Sequence, residues 1–467
     1  MPARVVGAPG MASQLFQTLN DPHLVAKFQK FFGITYKVPP TETDPIDTLD
    51  DSDEPIEFSG KNGHIFDKSA VIDDYNNHTN GSIHKRNLRN RKPYRTHMRS
   101  ASDFSTSSSK SGSSSTDVDY EVGSSFFYYL FHIGAGLGNE MFYCCFFPYW
   151  FWNVDGYVCR RLVLTWCLIM YIGQALKDII RLPRPASPPV VRMEKRYELE
   201  YGMPSTHAMI GLAFPWAFIY FSINRYEVNN QVAITFGLAW CLCVCLSRLY
   251  LGMHSVADVL AGLGLATILM VFIIPALDWI DEFQLKHQYA PFVMVAVTVF
   301  AALMYPRIDE WSTCRGDTML ILGLPSWSTC RGDTVATLGV QVGVAIASWI
   351  NYQNNFIPHD GVELVGSPPY HIKTPDIEWA KMALLRMVIG YSSLFLTRAS
   401  MKQVTYKISC WLYRLKPEEY EKNKKLMIVE LPYKYFTYCA ISLNVVYLSP
   451  LIFRYFDIER PTCWTEL

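Results

Sequence analysis

Three short stretches of the chain carry side chains suited to handling a phosphate. In KDIIRLPRPASPP, Lys177 and Arg184 lie seven residues apart, with Arg184 between two prolines. In GMPSTHAMIGLAF, Pro204 is followed by Ser205, Thr206 and His207 at the start of an apolar run. In CLSRLYLGMHSVADVL, Ser247 and Arg248 precede His254 and Asp258. Lysine and arginine give charge-assisted hydrogen bonds to phosphate oxygens. Ser205 as an N-cap leaves the free N–H groups of a helix start turned toward an anion. His254 and Asp258, at i and i+4, are expected to share a helix face. The carboxylate then holds one imidazole nitrogen and leaves the other to attack phosphorus. The second histidine, His207, is placed to protonate a departing oxygen. Such a set performs phosphoryl transfer through histidine. No carboxylate cluster for magnesium accompanies it, so neither metal nor cofactor is expected.

These stretches work together only if the chain brings them to one place, and the apolar runs between them say how. Half of the 467 residues are hydrophobic and 14% are aromatic, and the 42 basic residues equal the 42 acidic ones. That balance gives no reason to expect a nucleic-acid partner. The hydrophobic residues concentrate after residue 125, in runs at 126–152, 161–178, 206–223, 231–247, 255–277, 290–305, 335–350, 379–397 and 433–453. These lengths predict an all-α, polytopic transmembrane bundle of about nine spans. The first run is broken by GAGLGNE and reads as one span plus an interfacial helix, or as two short ones. The prolines at 183 and 185 put Lys177 and Arg184 on an extended loop at a membrane boundary. If the third and fourth runs are antiparallel neighbours, all three phosphate-handling stretches emerge on one side. The twelve cysteines are scattered, several inside apolar runs, without CxxC spacing, and read as small buried hydrophobes.

In this order, Lys-x6-Arg-Pro, Pro-Ser-x-His and Ser-Arg-x5-His-x3-Asp resemble the three-part signature of the type-2 phosphatidic acid phosphatase superfamily. Within it, the sequence is similar to the sphingosine-1-phosphate phosphatases. GNEMFYCCFFPYWFWN, YIGQALKDIIRLPRPASPPVV, YGMPSTHAM and WSTCRGDT carry that likeness, as does DPHLVAKFQKFFG near the start. The resemblance implies a six-helix phosphatase core and a sphingoid base phosphate as the lipid substrate. It implies His254 as nucleophile, Asp258 as its orienter and His207 as general acid, with Lys177, Arg184, Ser205, Thr206 and Arg248 holding the phosphate. Thr206 stands where the superfamily usually has glycine; its backbone donor survives that change. A broader lipid phosphatase, or an enzyme like glucose-6-phosphatase, would use the same set. A non-catalytic phospholipid binder or transporter would use the cations without needing two histidines.

Three regions follow. Residues 1–124 read as a polar tail, 125–280 as the phosphatase core and 281–467 as additional helices. Within the tail, Asn20 or Asp21 caps a short helix that opens with Pro22 and puts Leu24, Phe28 and Phe31 on one face. Residues 35–120 include the basic run HKRNLRNRKPYRTHMR and a serine-rich stretch, and are expected to be disordered. WSTCRGDT occurs twice, at 311–318 and 327–334, which reads as a local duplication. The basic residues from Arg398 to Lys425 place their loop in the cytosol by the positive-inside rule. Counting back through nine spans puts the site there too. The resemblance instead implies an endoplasmic-reticulum membrane with the site toward the lumen. Oligomeric state has no signature in the sequence.

Overall fold

The structure, a computed structural model, describes residues 11–36, 120–194, 200–306, 329–354, 370–371, 376–423, 426–460 and 462–463. Its helices are α1 (Met11–Leu19), α2 (Pro22–Phe31), α3 (Ser125–Leu137), α4 (Glu140–Asn153), α5 (Gly156–Ile180), α6 (Thr206–Ile223), α7 (Asn230–Tyr250), α8 (Val256–Lys286), α9 (Ala290–Met304), α10 (Thr329–Gln353), α11 (Ile377–Leu412), α12 (Tyr420–Asn423), α13 (Met427–Leu443) and α14 (Ser449–Tyr455). A π-helical turn, Asn444–Leu448, joins the last two. Among the described residues, seven helical stretches rather than about nine are long and apolar enough to cross a bilayer: α5, α6, α7, α8, most of α10, α11, and the run from α13 through α14.

Two expected spans account for the difference. The run at 126–152 breaks at Gly138 and Asn139 into α3 and α4, of 13 and 14 residues. A bilayer crossing takes roughly 20 residues. Helix α3 packs on α7, with Phe131 against Tyr250 and Gly134 against Cys243. The run at 290–305 becomes α9, only 15 residues long.

The helices interlock around α5. Its buried face packs on α4, α6, α8 and α10, in one core that includes Phe147, Trp152, Trp166 and Phe214. At the end of the bundle where α5 begins, Arg160 and Arg161 reach across to α8. Asp281 accepts from Arg160 at 3.3 Å and from Arg161 at 2.7 Å, and Asp278 accepts from Arg161 at 3.1 Å. Buried pairs of this kind tie two helices together because losing either partner strands a charge in a low-dielectric interior. The C-terminal helices are part of the same packing. Helix α10 runs antiparallel to α5, with the Cys167 thiol donating to Thr337 O at 3.2 Å, and α13 packs along α10.

Helix α2 also joins the core. The Asp21 carboxylate accepts from His23 N, and Pro22 opens α2. The buried face, however, is that of Val25 and Gln29, while Leu24 and Phe31 are exposed. Of the expected stripe only Phe28 packs inward, against Phe131, because a buried polar residue, Gln29, rather than Leu24 or Phe31 completes the face. The Gln29 side-chain amide donates to Val191 O at 2.7 Å and Tyr250 O at 2.8 Å and accepts from Val191 N at 2.9 Å. Strands β1 (Ile34–Tyr36) and β2 (Tyr120–Val122) then pair antiparallel, so Thr35, Tyr36 and Tyr120 are ordered, contrary to the expectation for 35–120. The rest of that expectation, and the first WSTCRGDT copy, lie outside the described residues. Residues 329–334 of the second copy open α10, with Cys330, Arg331 and Thr334 buried.

Because Tyr36 faces Tyr120 in the strand pair, residues 38–117 are replaceable by a short Gly-Ser turn. Turnover is expected to stay within about tenfold, or 1.4 kcal/mol of barrier. Gln29→Ala, which orphans the Val191 and Tyr250 carbonyls, should cost about 1–3 kcal/mol of stability, read as lower thermal midpoint and lower turnover in detergent.

Candidate active site

The site forms where four helix ends converge. Lys177 sits in the last turn of α5, not on the loop; the helix continues to Ile180 and ends at Arg181, in the left-handed region. Arg184 alone occupies the proline-bracketed loop. Arg248 lies in the last turn of α7. Ser205 caps α6, its side chain accepting from Ala208 N at 3.4 Å, so that Thr206 and His207 fall in the first helical turn. Ser205 N donates to Asp258 O at 3.1 Å, which ties the start of α6 to the start of α8.

His254 and Asp258 meet by a different route from the one their spacing implies. His254 precedes Ser255, the N-cap of α8, so it is not on the helix face. Asp258 Oδ2 accepts from Ser255 N at 2.8 Å and Ser255 Oγ accepts from Asp258 N at 3.1 Å, a reciprocal capping box. The same Oδ2 stands 3.7 Å from His254 Nδ1. On the other side of the ring, Arg184 Nη1 is 3.3 Å from His254 Nε2 and donates to Met253 O at 2.7 Å. Arginine is only a donor, so Nε2 accepts and the ring proton falls on Nδ1, facing the carboxylate. Nε2 thus carries the lone pair, on the side of the cations.

Two acidic residues that the sequence did not single out hold those cations. Glu200 Oε2 accepts from Lys177 at 2.8 Å and lies 3.8 Å from Arg184 Nη2, while its backbone carbonyl accepts from Arg184 Nε at 2.9 Å. Glu194 accepts from Arg248 at 3.0 Å. Burial works against an ionised Glu200, but Lys177 and Arg184 outweigh it and hold the carboxyl below its ordinary range. Burial draws Arg184 down to about 10, opposed by Glu200; Arg248 lowers it further, while Asp258 and the Cys330 thiol of α10 raise it. For His254, burial first and then Arg184, Arg248 and Lys177 hold the imidazole well below the usual histidine range. Glu200 stands seven residues before His207 in an ordinary-looking YELEYG run, and only its burial beside two cations marks it.

A glycine completes the site. A Cβ on Gly138, between α3 and α4, would stand 2.5 Å from His207 Cδ2. Any other residue would displace that ring, so the GAGLGNE break in the first apolar run is what lets α4 begin beside His207. Among the described residues, no group of three or more His, Cys, Asp or Glu side chains is arranged to hold a metal ion.

An all-helical membrane bundle with buried cations, two histidines and a carboxylate at one end defines a class, and comparison with known proteins gives the same one. The PAP2 superfamily model matches residues 159–281, which contain these six residues together with Ser205 and Thr206. Sphingosine-1-phosphate phosphatase 1 of Rattus norvegicus is 38% identical over 332 residues, 71% of this chain and 73% of the relative. Sphingosine-1-phosphate phosphatase 2 of Homo sapiens is 33% identical, over 73% of this chain and 80% of the relative. A dihydrosphingosine 1-phosphate phosphatase of Schizosaccharomyces pombe is 26% identical, over 41% of this chain and 48% of the relative. No solved structure matches the chain. The chain belongs to the sphingosine-1-phosphate phosphatase family, within the PAP2 superfamily.

The depressed His254 pKa sets a pH prediction. For attack by His254, the role expected of it from the sequence, the required form is the free base, gained as pH rises through the folded-state pKa. With that pKa held below 6.5, the acid limb of kcat/KM is expected below pH 6.5. A limb at or above 6.5 that disappears in His254→Ala with a rescue nucleophile would contradict this electrostatic environment.

Proposed function

We propose that this protein is a phosphatase that removes phosphate from sphingosine 1-phosphate and related long-chain base phosphates, through a phosphohistidine. The observation that carries the assignment is the placement of His254 Nε2, 3.3 Å from Arg184, with Nδ1 turned to Asp258. Nε2 attacks phosphorus while the bond to the lipid oxygen breaks and His207 delivers a proton to that oxygen. Water then attacks the phosphohistidine with His207 as base, releasing phosphate and restoring His254. Lys177, Arg184 and Arg248, with the backbone donors at Ser205 and Thr206, neutralise the phosphoryl oxygens. Asp258 steadies the ring as it becomes cationic.

The names of the relatives support the choice of substrate: the rat and human proteins are named for sphingosine 1-phosphate and the yeast protein for its dihydro form. One buried histidine beside Arg184 and a second, His207, in the first turn of α6 favour catalysis over simple phospholipid binding.

The roles of the two histidines separate by leaving group. His254→Ala should abolish turnover of every phosphate ester. His207→Ala should lose far more activity on sphingosine 1-phosphate, whose alkoxide needs the proton, than on nitrophenyl phosphate, whose phenolate leaves unaided. Equal losses on both esters would overturn the assignment of His207.

We further place the protein in the endoplasmic-reticulum membrane with this site toward the lumen, as the family resemblance implies. The basic run that starts at Arg398 lies at the same end of the bundle as the catalytic loops, and the positive-inside rule opposes that side. Glycosylation of an Asn-X-Thr acceptor inserted after the exposed Ser187 is the expected result in cells. Glycosylation only of an acceptor inserted at Glu227, at the other end of the helices, would move the site to the cytosol.

A further inference from the structure

The repeated octapeptide has no place in the mechanism above, yet its second copy stands beside the cation cluster. Of WSTCRGDT at 327–334, the described residues are 329–334, the first turns of α10. Cys330 and Thr334 are buried, at 1% and 0% exposure. The Cys330 thiol lies among the charges of Lys177, Asp178 and Glu200. Residues beyond 281, where the PAP2 match ends, thus enter the surroundings of Lys177.

The copy is anchored to α9 and to α13. Arg331 Nη2 donates to Ala302 O of α9 at 3.4 Å. The Thr334 hydroxyl donates to Cys330 O at 2.8 Å and lies against the hydroxyl of Tyr305, which closes α9. A Cβ on Gly332 would stand 2.6 Å from Lys434 Nζ, and Asp333 accepts from that lysine at 3.2 Å. Tyr305 carries the contact onward to the site. It is 1% exposed, and its hydroxyl donates to Asp178 Oδ2 at 2.9 Å. Asp178 follows Lys177 in the last turn of α5. The last carbonyls of a helix have no partners further along it, so such a turn frays unless something outside holds it. A misplacement of about 1 Å can cost about a hundredfold in rate.

Building on the phosphatase function above, we propose that the second WSTCRGDT copy and Tyr305 form a brace that positions Lys177 for the phosphate. Thr334 seats the Tyr305 hydroxyl, Tyr305 holds Asp178, and Asp178 fixes the turn from which Lys177 reaches the anion. Tyr305 and Thr334 are positioning residues, acting through Lys177 rather than on the ester. The phosphate group is common to every ester, so the brace matters equally whatever the leaving group, unlike His207. The second copy serves in this way because it runs without a break into α10, which packs on α5.

The test uses the full chain in detergent, with sphingosine 1-phosphate, nitrophenyl phosphate and vanadate, which takes the five-coordinate geometry of the transferring phosphoryl group. Tyr305→Phe removes one hydroxyl. It should lower kcat/KM about tenfold on both esters alike and weaken vanadate inhibition about tenfold. Thr334→Val should do the same. The double variant should lose about tenfold rather than about a hundredfold, because both changes act through one turn of α5. Thr334→Ser, which keeps the hydroxyl, should stay within about twofold of wild type, as should Thr318→Val, the same substitution in the first copy. A loss in Tyr305→Phe that leaves vanadate inhibition unchanged, multiplicative losses in the double variant, or an equal loss in Thr318→Val would overturn the proposal. Where Tyr305→Phe does not accumulate, Thr334→Val and Thr334→Ser must still differ as stated. A wild-type protein that cleaves neither ester would instead overturn the phosphatase assignment itself.

Discussion

Three cations are buried within reach of one another at the head of this bundle, and most of the structure around them serves to partner them. Lys177 and Arg248 are almost wholly enclosed, at 1% and 0% exposure. A buried charge without a partner there would be costly. The chain prevents this with Glu200 on Lys177 and Arg184, Glu194 on Arg248, and the carbonyls of Glu200 and Met253 on Arg184. These partners come from loops, so the loops themselves must be held, and Gln29 of α2 does so by bonding Val191 and Tyr250 together. A helix from the N-terminal region is thereby part of the catalytic scaffold.

The same field sets the chemistry. Burial and the surrounding positive charges disfavour a protonated His254, so the ring stands as a free base with its lone pair toward the place where phosphate oxygens would sit. Asp258 opposes the cations only weakly at 3.7 Å, since its Oδ2 is also committed to the α8 cap. In the mechanism proposed above, the carboxylate gains most when the ring becomes positive during attack, which is where stabilisation accelerates the reaction. The cap has a second consequence: it fixes the carboxylate before any ligand arrives.

At the opposite end of the bundle, the Arg160 and Arg161 pairs with Asp278 and Asp281 hold α5 and α8 in register. Two ionic clusters at the two ends of α5 leave the middle of the helix free to be apolar. That middle, with α10 and α13 behind it, lines an apolar cavity. The helices after residue 281 therefore serve the phosphatase core directly, through the α5–α10 packing, rather than standing as an appendage to it.

Residue type and spacing along the chain determined the helical membrane class, the three phosphate-handling stretches and the eight residues in them, because apolar run length and short-range motifs are local properties. Glu200, Glu194, Gln29 and Gly138 were not visible in that way. Each acts on something distant in sequence, as Gln29 does on Val191 and Tyr250, and a lone polar residue in a loop or short helix has no local pattern to mark it. Of about nine expected spans, seven have described helices long and apolar enough to cross a bilayer. The packing of α3 on α7 through Phe131 and Gly134 was likewise not visible in the sequence. Even the meeting of His254 with Asp258 came from tertiary geometry, through the Ser255 cap rather than a helix face. The sequence by itself determined which groups could do the chemistry. Only the tertiary structure decided which partners they meet, because burial and long-range pairing exist only once the helices have packed.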